Sequence, residues 1–551
     1  MPEYLSPGVY VEEVDRGPKP IEGVGTAMAV FIGFSEKAQL VESSNGETTT
    51  RDLLSKPQLV TNWSQYVERF GSFVEGAYMP HSVYGYFQNG GARCYVVSVK
   101  TIPKAQAALL NGEGKPALIA RAKSAGFDGL RLRVKVEVPP AADSGAAAGK
   151  KGKAGEEGAA PAAPPSGAAP FTLTVERERT SGGWTAQEVV RDVTLAEVTR
   201  EDGSKAAGIA YKDNKGPALI DLVVPDGTAP LASLWPREQQ QTLTIESKLL
   251  SAATVSDFQG EVTERTGVEG LEAIDDITMV VVPDLMTTMP GQKLDLTMVK
   301  AVQTSIITHC EKMGDRVAVL DAPAGMSPQA IKKWRMDTAG YDTSYAALYY
   351  PWIEVSDPVT NRPINIPPSG HMAGVWARND NTRGVHKAPA NEVVRGATGL
   401  SYNITKGEQD TLNPNGVNCI RVFPGMGIRV WGARTLSSNP SWRYINVRRL
   451  FNFVEKSIER GTQWVVFEPN EPRLWGRVRR DVNAFLTTVW RDGALFGLTP
   501  DQAFYVKCDE ELNPPESRDL GRLIIEIGMS PVKPAEFVIF RISQWQPGQE
   551  G

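Results

Sequence analysis

The pattern in this chain that comes nearest to a catalytic set is an aspartate and a serine. Asp321 ends the apolar run Val-Ala-Val-Leu-Asp, and Ser369 opens the segment Ser-Gly-His-Met-Ala. A serine becomes a nucleophile when a histidine takes its proton and an aspartate orients that histidine. None of the four histidines lies between Asp321 and Ser369, since they are His81, His309, His371 and His386. The chain order Asp–His–Ser is therefore excluded.

The same two segments resemble the aspartate strand and the serine-bearing helix start of subtilisin-type proteases. A rewired triad that uses His371 or His386 as the base is the alternative. We expect instead a scaffold similar to that α/β fold without its catalytic triad. On that interpretation Ser369 caps a helix, His371 is packed or surface-exposed, and the protein is not an enzyme.

Signatures of cofactor, metal and disulfide chemistry are absent from the sequence. It contains no GxxxxGK[ST] loop and no HExxH pair, and its Gly-x-Gly pairs lack the third glycine of a dinucleotide fingerprint. The four cysteines are too widely spaced for a CxxC pair or a disulfide scaffold. This predicts no cofactor and no metal, and synthesis in the reducing bacterial cytoplasm.

Composition indicates a soluble protein of several domains. The 551 residues leave room for about three or four domains. A net charge of −5 gives no overall footprint for nucleic acid or for an anionic membrane. The N-terminus has neither the basic nor the apolar region of a signal peptide, and the apolar runs are too short to cross a bilayer. We therefore expect no direct nucleic-acid binding and no membrane insertion.

Basic residues are concentrated between Arg429 and Arg491, where twelve Arg and Lys stand against five Asp and Glu. Solvated helix faces are one explanation, and a docking surface for an acidic partner is the functional one. Nucleic acid is a weaker option, because no basic platform interleaved with aromatic residues accompanies the charges. Four of these residues fall outside a helix's apolar face at helical spacings, and they are Arg473, Arg477, Arg480 and Arg491.

The elements that would position these groups alternate between strand and helix from about residue 275. With two earlier buried strands, they predict an α/β arrangement around a parallel sheet. The predicted strands are 26–34, 93–99, 276–283, 316–321 and 345–355, and the predicted helices are 294–313 and 327–336. Further on, two amphipathic helices near 447–458 and 478–490 and two paired strands at 504–508 and 523–529 predict an α+β region.

A β-rich module interrupts this series at residues 101–248. Its strands alternate polar and apolar residues, as in 130–138 and 171–175. Between them, residues 139–170 consist almost entirely of Ala, Pro, Gly, Lys, Glu and Ser. Such a segment lacks the apolar content that would offset its ordering entropy. We predict a disordered loop at the tip of an outer domain.

Both ends of the chain are predicted to be strands beside proline-rich hinges. The N-terminal strand is built on Val9, Tyr10 and Val11, and the C-terminal one on Phe537, Val538, Ile539 and Phe540. Proline cannot donate to a β-ladder and stiffens the link. Each strand could pair within its own subunit or add to the sheet edge of a neighbour. Two such arms favour a chain that joins copies of itself into a polymer.

Several longer motifs resemble the contractile tail sheath family of phage tails and phage-tail-like contractile injection systems. They are the beginning of the chain at residues 4–13, the motif Pro-Pro-Ser-Gly-His-Met-Ala-Gly-Val at 367–375, and the segments 445–458 and 463–470. The resemblance covers about 1–100 and 260–545 and leaves the module at 101–248 uncovered.

The resemblance implies a subunit that polymerises as stacked rings around an inner tube and contracts to drive that tube through a target cell envelope. The implied partners are other copies of itself, the inner tube protein, and baseplate and terminator or cap proteins. The implied domains are arms at 1–20 and 531–551, a subtilisin-like middle domain at 21–100 and 249–428, and a C-terminal sheath domain at 429–530. Stored strain would supply the work, so no nucleotide site is needed.

Two other function classes remain as alternatives. One is a static structural polymer such as a tail tube or surface-layer protein, and the other is a degenerate subtilisin-like hydrolase. A type VI secretion sheath fits less well, because that sheath is usually split into two chains. The sequence leaves open whether the particle is a phage tail or a headless injection device, and what its target, cargo and trigger are.

Overall fold

The computed structural model describes residues 20–44, 47–138, 170–179, 181–199, 205–212, 215–227, 229–245, 253–288 and 292–541. The strands in these ranges are β1 (Ala29–Ser35), β2 (Gln39–Ser44), β3 (Glu47–Asp52), β4 (Gln58–Val60), β5 (Cys94–Thr101), β6 (Gln106–Leu110), β7 (Pro116–Ala122), β8 (Leu132–Glu137), β9 (Phe171–Glu178), β10 (Trp184–Thr199), β11 (Lys205–Ala210), β12 (Ile220–Val223), β13 (Gln239–Thr242), β14 (Met279–Val281), β15 (Val317–Asp321), β16 (Ala346–Tyr350), β17 (Ile353–Ser356), β18 (Pro363–Ile366), β19 (Glu392–Val393), β20 (Ala397–Leu400), β21 (Val417–Phe423), β22 (Gly427–Val430), β23 (Phe504–Lys507) and β24 (Glu526–Met529).

The α-helices of the described residues are α1 (Trp63–Phe70), α2 (Met79–Asn89), α3 (Val255–Gln259), α4 (Leu296–Met313), α5 (Pro328–Lys333), α6 (Ser369–Arg383), α7 (Lys406–Leu412), α8 (Ile445–Gly461), α9 (Pro472–Arg491), α10 (Pro500–Ala503) and α11 (Pro515–Asp519). A π-helical turn, Trp334–Ala339, follows α5. Short 3-10 turns lie at Phe127–Arg131, Leu231–Leu234, Glu269–Ala273, Pro283–Met286, Asn413–Asn415, Pro440–Trp442 and Gln463–Val465. None of the helices in the described ranges is long and apolar enough to cross a membrane.

A nine-stranded sheet lies at the centre of the α/β part, in the order β19-β22-β21-β16-β15-β14-β1-β5-β4. The run from β5 through β1, β14, β15 and β16 to β21 is parallel throughout. Every residue of β1, β15 and β16 is buried. Parallel strands covered on both faces are continuously apolar in sequence. This mixed α/β architecture agrees with the predicted strand–helix alternation.

Helices cover both faces of the central sheet. Val302 and Ile306 of α4 pack into the core on one face, and Met372 and Trp376 of α6 pack with α2 on the other. The two helices α2 and α6 approach closely, because a Cβ on Gly85 would overlap the imidazole ring of His371. This contact fixes the start of α6 against α2.

Some predicted elements are shorter or divided in the structure. The predicted strand 345–355 is two strands, β16 and β17, on either side of Pro351, which has no N–H to donate to a ladder. The predicted strand 276–283 ends at Val281, where a 3-10 turn begins at Pro283. The predicted helix 327–336 begins at its Ser327 cap as expected, but α5 ends at Lys333 and the π-helical turn continues it.

The β-rich module has a core of its own. A five-stranded sheet (β11-β10-β9-β8-β13) and a three-stranded sheet (β12-β7-β6) form it. Leu132, Val134 and Val136 of β8 are buried, while Arg133 and Lys135 between them are half-buried. This is the predicted alternation. Almost all of the predicted loop, residues 139–169, lies outside the described residues.

The region after Leu436 is built on the two predicted amphipathic helices. Leu450 and Val454 of α8 pack with Val478, Val482 and Leu486 of α9 in one apolar cluster. The antiparallel pair β23–β24 contributes to the same cluster. The predicted α+β organisation of this region agrees with these elements.

Candidate functional site

Asp321 and Ser369 contact each other directly at the start of α6, whereas in a catalytic triad a histidine lies between the two. The backbone N–H of Ser369 donates to the Asp321 carboxylate at 2.8 Å, and the Ser369 hydroxyl donates to its other oxygen. Ser369 is the first residue of α6, and its N–H is one of those that a helix leaves without an internal partner. The prediction that Ser369 caps the helix is therefore wrong. Asp321, at the end of β15, caps it instead.

The environment of this pair suits a structural cap. Both side chains are buried, and burial raises the pKa of Asp321 to about 7 even though the hydrogen bonds from Ser369 oppose the shift. A carboxyl with this pKa is partly protonated at neutral pH, so it costs less to bury than a full charge.

Within the described part of the chain, Ser369 forms no hydrogen bond with a histidine, and its hydroxyl donates to Asp321. His371 is 2% exposed, and its Nδ1 has no hydrogen-bond partner there. It lies two positions after Ser369 on α6, where side chains point to different sides of a helix. Burial lowers the pKa of His371 to about 3, with a smaller contribution from His81. His386 lies beyond the end of α6, and burial also lowers its pKa.

The residues that the structure describes contain no candidate metal site and no candidate redox cysteine. They contain no group of three or more His, Cys, Asp or Glu side chains that could hold a metal ion. All four cysteines are free and buried. Burial raises the pKa of Cys310 and Cys419 to about 12. These thiols are therefore inert core residues.

The basic residues between Arg429 and Arg491 range from buried to exposed. On α8, Arg449 forms a two-fold ion pair with Asp380 of α6, and both side chains are almost fully buried. Arg448 packs over the rings of Trp442 and Tyr345 at 4.4 and 4.7 Å and pairs with Glu455. These two arginines join α8 to the rest of the chain, so α8 does not present them to a partner.

Most of the exposed basic residues lie on α9, and Arg460 near the end of α8 is exposed as well. Arg473, Arg477, Arg480 and Arg491 are all exposed, and with about 100° per residue they fall within about 60° of one another around the helix. This stripe lies opposite the face whose apolar residues are buried in the core, which carries Leu474, Val478, Val482, Phe485, Leu486 and Val489.

The stripe is not evenly charged along its length. Arg480 contacts the neighbouring Asp481, and the guanidinium of Arg477 lies 5.5 Å from the ring centre of Trp464. Arg473 and Arg491 make no ion pair within the described ranges. Arg491 lies about 16 Å from Arg480 along the axis, because the two are eleven positions apart on the helix. The predicted group is therefore a cluster of three arginines with a fourth at the far end of the same face.

The C-terminal arm divides sharply at Glu536. Before it, Pro531 pairs with Leu495, and the N–H of Val532 donates to the carbonyl of Ala494 at 3.2 Å. After it, four apolar residues belong to no strand and are 71–83% exposed, namely Phe537, Val538, Ile539 and Phe540. The described part of the subunit thus offers this segment no strand partner. The N-terminal arm with Val9, Tyr10 and Val11 lies outside the described residues.

The pair β23–β24 offers places where a further strand could bind. It is a sheet of two strands, and the outer edge of β23 pairs with nothing in the described chain. Nearby apolar side chains are exposed, among them Tyr505 at 53% and Phe496 at 72%. An open edge beside exposed apolar groups is a template for an incoming strand. The two paired strands were predicted at 504–508 and 523–529, but their spacing did not show which edge stays open.

Comparisons with known proteins agree with this geometry. The model of the phage tail sheath protein central domain matches residues 264–436, and that of the phage tail sheath C-terminal domain matches residues 437–544. The tail sheath protein of Escherichia phage P2 is 25% identical over 349 residues, which are 62% of this chain and 80% of that protein.

A second relative and a solved structure extend the comparison. The tail sheath protein of Burkholderia phage BcepMu is 30% identical over 251 residues, and the match takes in 42% of this chain and only 51% of that protein. The PVC sheath complex of an extracellular contractile injection system, in its contracted state, has the same fold, with 22% identity, a TM-score of 0.55 and 99% of both chains covered. Since the two family models together match just over half of the sequence, the chain belongs to the phage tail sheath family.

Proposed function

We propose that this protein is the subunit of a contractile sheath. Copies polymerise as stacked rings around an inner tube and then shorten together, which drives the tube through a target cell envelope. The observation that carries the proposal is the exposed segment Phe537–Phe540, four consecutive apolar residues without a strand partner in the described subunit. A sheath-family chain with such an arm gains apolar burial and backbone pairing when a neighbour receives it.

The acceptor for the arm is the edge of β23–β24 on a neighbouring copy. The hydrogen bonds of an added strand are sequence-independent, and the exposed Tyr505 and Phe496 would contact its apolar side chains. The N-terminal arm around Val9, Tyr10 and Val11 is the second donor in this proposal. Two donated strands per subunit would keep copies linked while they move relative to one another.

The arginine stripe of α9 is the proposed contact with the inner tube. It faces away from the subunit's core, and its charges are accessible to a partner. An acidic tube surface would hold the extended state through many weak contacts, each worth about 0–1 kcal/mol. Weak exposed pairs release during contraction more easily than a large apolar interface would.

The α/β part corresponds in this proposal to a subtilisin-like middle domain without a catalytic triad. Support comes from the parallel sheet and from Asp321 and Ser369, which form a helix cap with no hydrogen bond from Ser369 to a histidine among the described residues. The middle domain would span 21–100 and 249–428, with the outer domain at 101–248 and the C-terminal domain at 429–530. Because β22 ends at Val430, the middle sheet extends slightly beyond the boundary at 428.

The remaining partners of the proposal are a baseplate that triggers contraction and a terminator or cap protein. The particle would be a phage tail or a phage-tail-like device, made in the bacterial cytoplasm and used there or released by lysis. No nucleotide, metal or cofactor has a role in the proposed mechanism, since the energy comes from the metastable extended polymer.

Electron microscopy of the protein produced together with its inner tube tests the proposal. We expect two tube-bound forms, one long and narrow and one short and wide. Truncation after Glu536 should leave folded subunits that fail to form long sheaths. A single form of fixed length would instead identify a static structural polymer, and normal sheaths from the truncated chain would refute the role of the C-terminal arm.

A further inference from the structure

Glu536, the residue directly before the exposed arm, accepts four hydrogen bonds from three side chains of its own subunit. Arg434 donates to both carboxylate oxygens, Nε to Oε1 at 2.9 Å and Nη2 to Oε2 at 2.6 Å. Asn413 donates to Oε1 at 2.7 Å, and the hydroxyl of Tyr444 donates to Oε2 at 3.1 Å. We call these four residues the Glu536 clamp.

The clamp is largely shielded from water. The side chains of Arg434 and Glu536 are 9% and 19% exposed. Although burial by itself raises the pKa of Glu536, the hydrogen bonds from Arg434 and Asn413 leave the pKa below its ordinary value. A two-fold guanidinium–carboxylate pair fixes orientation as well as distance. The clamp therefore sets both the position and the direction of the chain at residue 536.

The clamp groups come from separate places in the fold. Asn413 lies at the end of α7, Arg434 follows β22, and Tyr444 directly precedes α8. Upstream, Asn446 of α8 donates to the carbonyl of Val532 at 3.1 Å. The proline segment is thus attached at Pro531 and Val532 and again at Glu536, and the four residues after Glu536 are exposed.

We propose that Glu536 is a positioning residue, which fixes the point and direction from which the C-terminal arm leaves the subunit. The inference rests on the proposed function of the arm. With the clamp closed, only the residues from Phe537 onward need to order when they bind a neighbour, so binding costs less entropy. With the clamp open, the tether lengthens by the residues between Val532 and Phe537, and the effective concentration of the arm at the neighbour's edge falls.

Spin labels on the isolated full-length protein test the clamp directly. All four native cysteines are buried, so a cysteine introduced at Ala535 or Val538 is the one that a nitroxide reagent labels. We expect slow motion of the label at 535 and fast motion at 538. In Glu536→Gln the label at 535 should move as fast as that at 538, and Tyr444→Phe should give an intermediate result.

Two controls keep this test decisive. Protection of the four native thiols shows that a variant is folded, because unfolding exposes them. Glu510→Gln, at an exposed position of the same region, makes the matching change of charge and should leave both labels as in the wild type. Equal motion at 535 and 538 in the folded wild type, or slow motion at 535 in folded Glu536→Gln, would overturn the proposal.

Assembly on the inner tube then separates this inference from the proposed function. We expect Glu536→Gln to give fewer and shorter sheaths than Glu510→Gln. If truncation after Glu536 abolishes sheaths while Glu536→Gln assembles like the wild type, the clamp does not position the arm, and the proposed function stands. If the truncated chain itself assembles normally, both ideas are refuted.

Discussion

Arg449 of α8 and Asp380 of α6 form a two-fold ion pair with side chains that are only 4% and 3% exposed. The nitrogen–oxygen distances are 2.9 Å for Nη1–Oδ1 and 2.6 Å for Nη2–Oδ2. The guanidinium also lies 4.8 Å from the ring centre of Trp376 and donates to the carbonyl of Thr26. One side chain thus ties α8 to the helix layer of the central sheet and to the chain that enters β1.

Removing one partner of this pair should be strongly destabilising. Arg449→Gln leaves the Asp380 carboxylate buried without its counter-charge, and we expect the free energy of unfolding to fall by about 3–5 kcal/mol. Arg473→Gln, which changes an exposed arginine, should change it by less than about 0.5 kcal/mol. Urea denaturation of both variants measures the difference. A loss below about 1 kcal/mol for Arg449→Gln would contradict the structural role of the pair.

Ser369 should show no nucleophilic reactivity. Its hydroxyl donates to Asp321 and, among the described residues, forms no hydrogen bond with a histidine. We expect a fluorophosphonate probe to leave the folded protein unlabelled. Ser369→Ala should preserve sheath assembly at a cost of about 1–3 kcal/mol in stability, because the buried carboxyl loses one donor. If the probe labels the wild-type protein but not Ser369→Ala, the hydrolase alternative would be supported.

Asp321, which caps α6, should make the stability of the protein fall as pH rises. The buried histidines should have the opposite effect. The pKa of Asp321 rises from 3.8 to about 7 in the folded chain. Between these values the folded state binds more protons than the unfolded state, so the contribution of Asp321 to stability falls as pH rises. We expect Asp321→Asn to gain stability relative to the wild type as pH rises from 4 to 7. A difference that is flat or falls with pH would contradict the burial of this carboxyl.

The histidines should destabilise the protein in acid. Burial lowers the pKa of His371 from 6.5 to about 3 and that of His81 to about 4. Below pH 6.5 the two histidines bind protons in the unfolded state but remain neutral in the folded state. Their contribution to stability therefore falls as pH decreases towards these values. In His371→Gln, denaturation midpoints should depend less on pH between 6.5 and 4 than in the wild type. An unchanged slope would show that His371 is not the responsible group.

Charge reversal on α9 should weaken the binding of the sheath to the inner tube. Arg477→Glu with Arg480→Glu places two acids on the face opposite the core, where their effect on folding is small. We expect fewer extended sheath–tube particles and loss of the remainder at lower salt, since exposed pairs are screened. Lys332→Glu with Lys333→Glu makes the same change of charge on exposed positions of α5. Equal effects of both doubles would indicate net charge alone rather than a tube contact.

Much of this molecule follows from the sequence alone. Continuous apolar runs and 3.6-residue periodicity located the central strands, α4, α8 and α9. The spacing of apolar residues along the chain shows which face of a strand or helix is buried. Alternation in 130–138 predicted β8 for the same reason. The apolar residues of the C-terminal arm were also evident, and the structure leaves Phe537–Phe540 exposed.

Tertiary structure alone decided what the polar groups do. The basic residues of α8 and α9 are alike in sequence, yet Arg449 is buried against Asp380 and Arg473 faces solvent. Likewise, nothing local shows that Asp321 caps the helix of Ser369 or that Glu536 meets Arg434. The partners lie 69, 48 and 102 residues apart. Periodicity reports only which side of an element is buried, whereas the partner of a buried charge is chosen by how distant segments pack against one another.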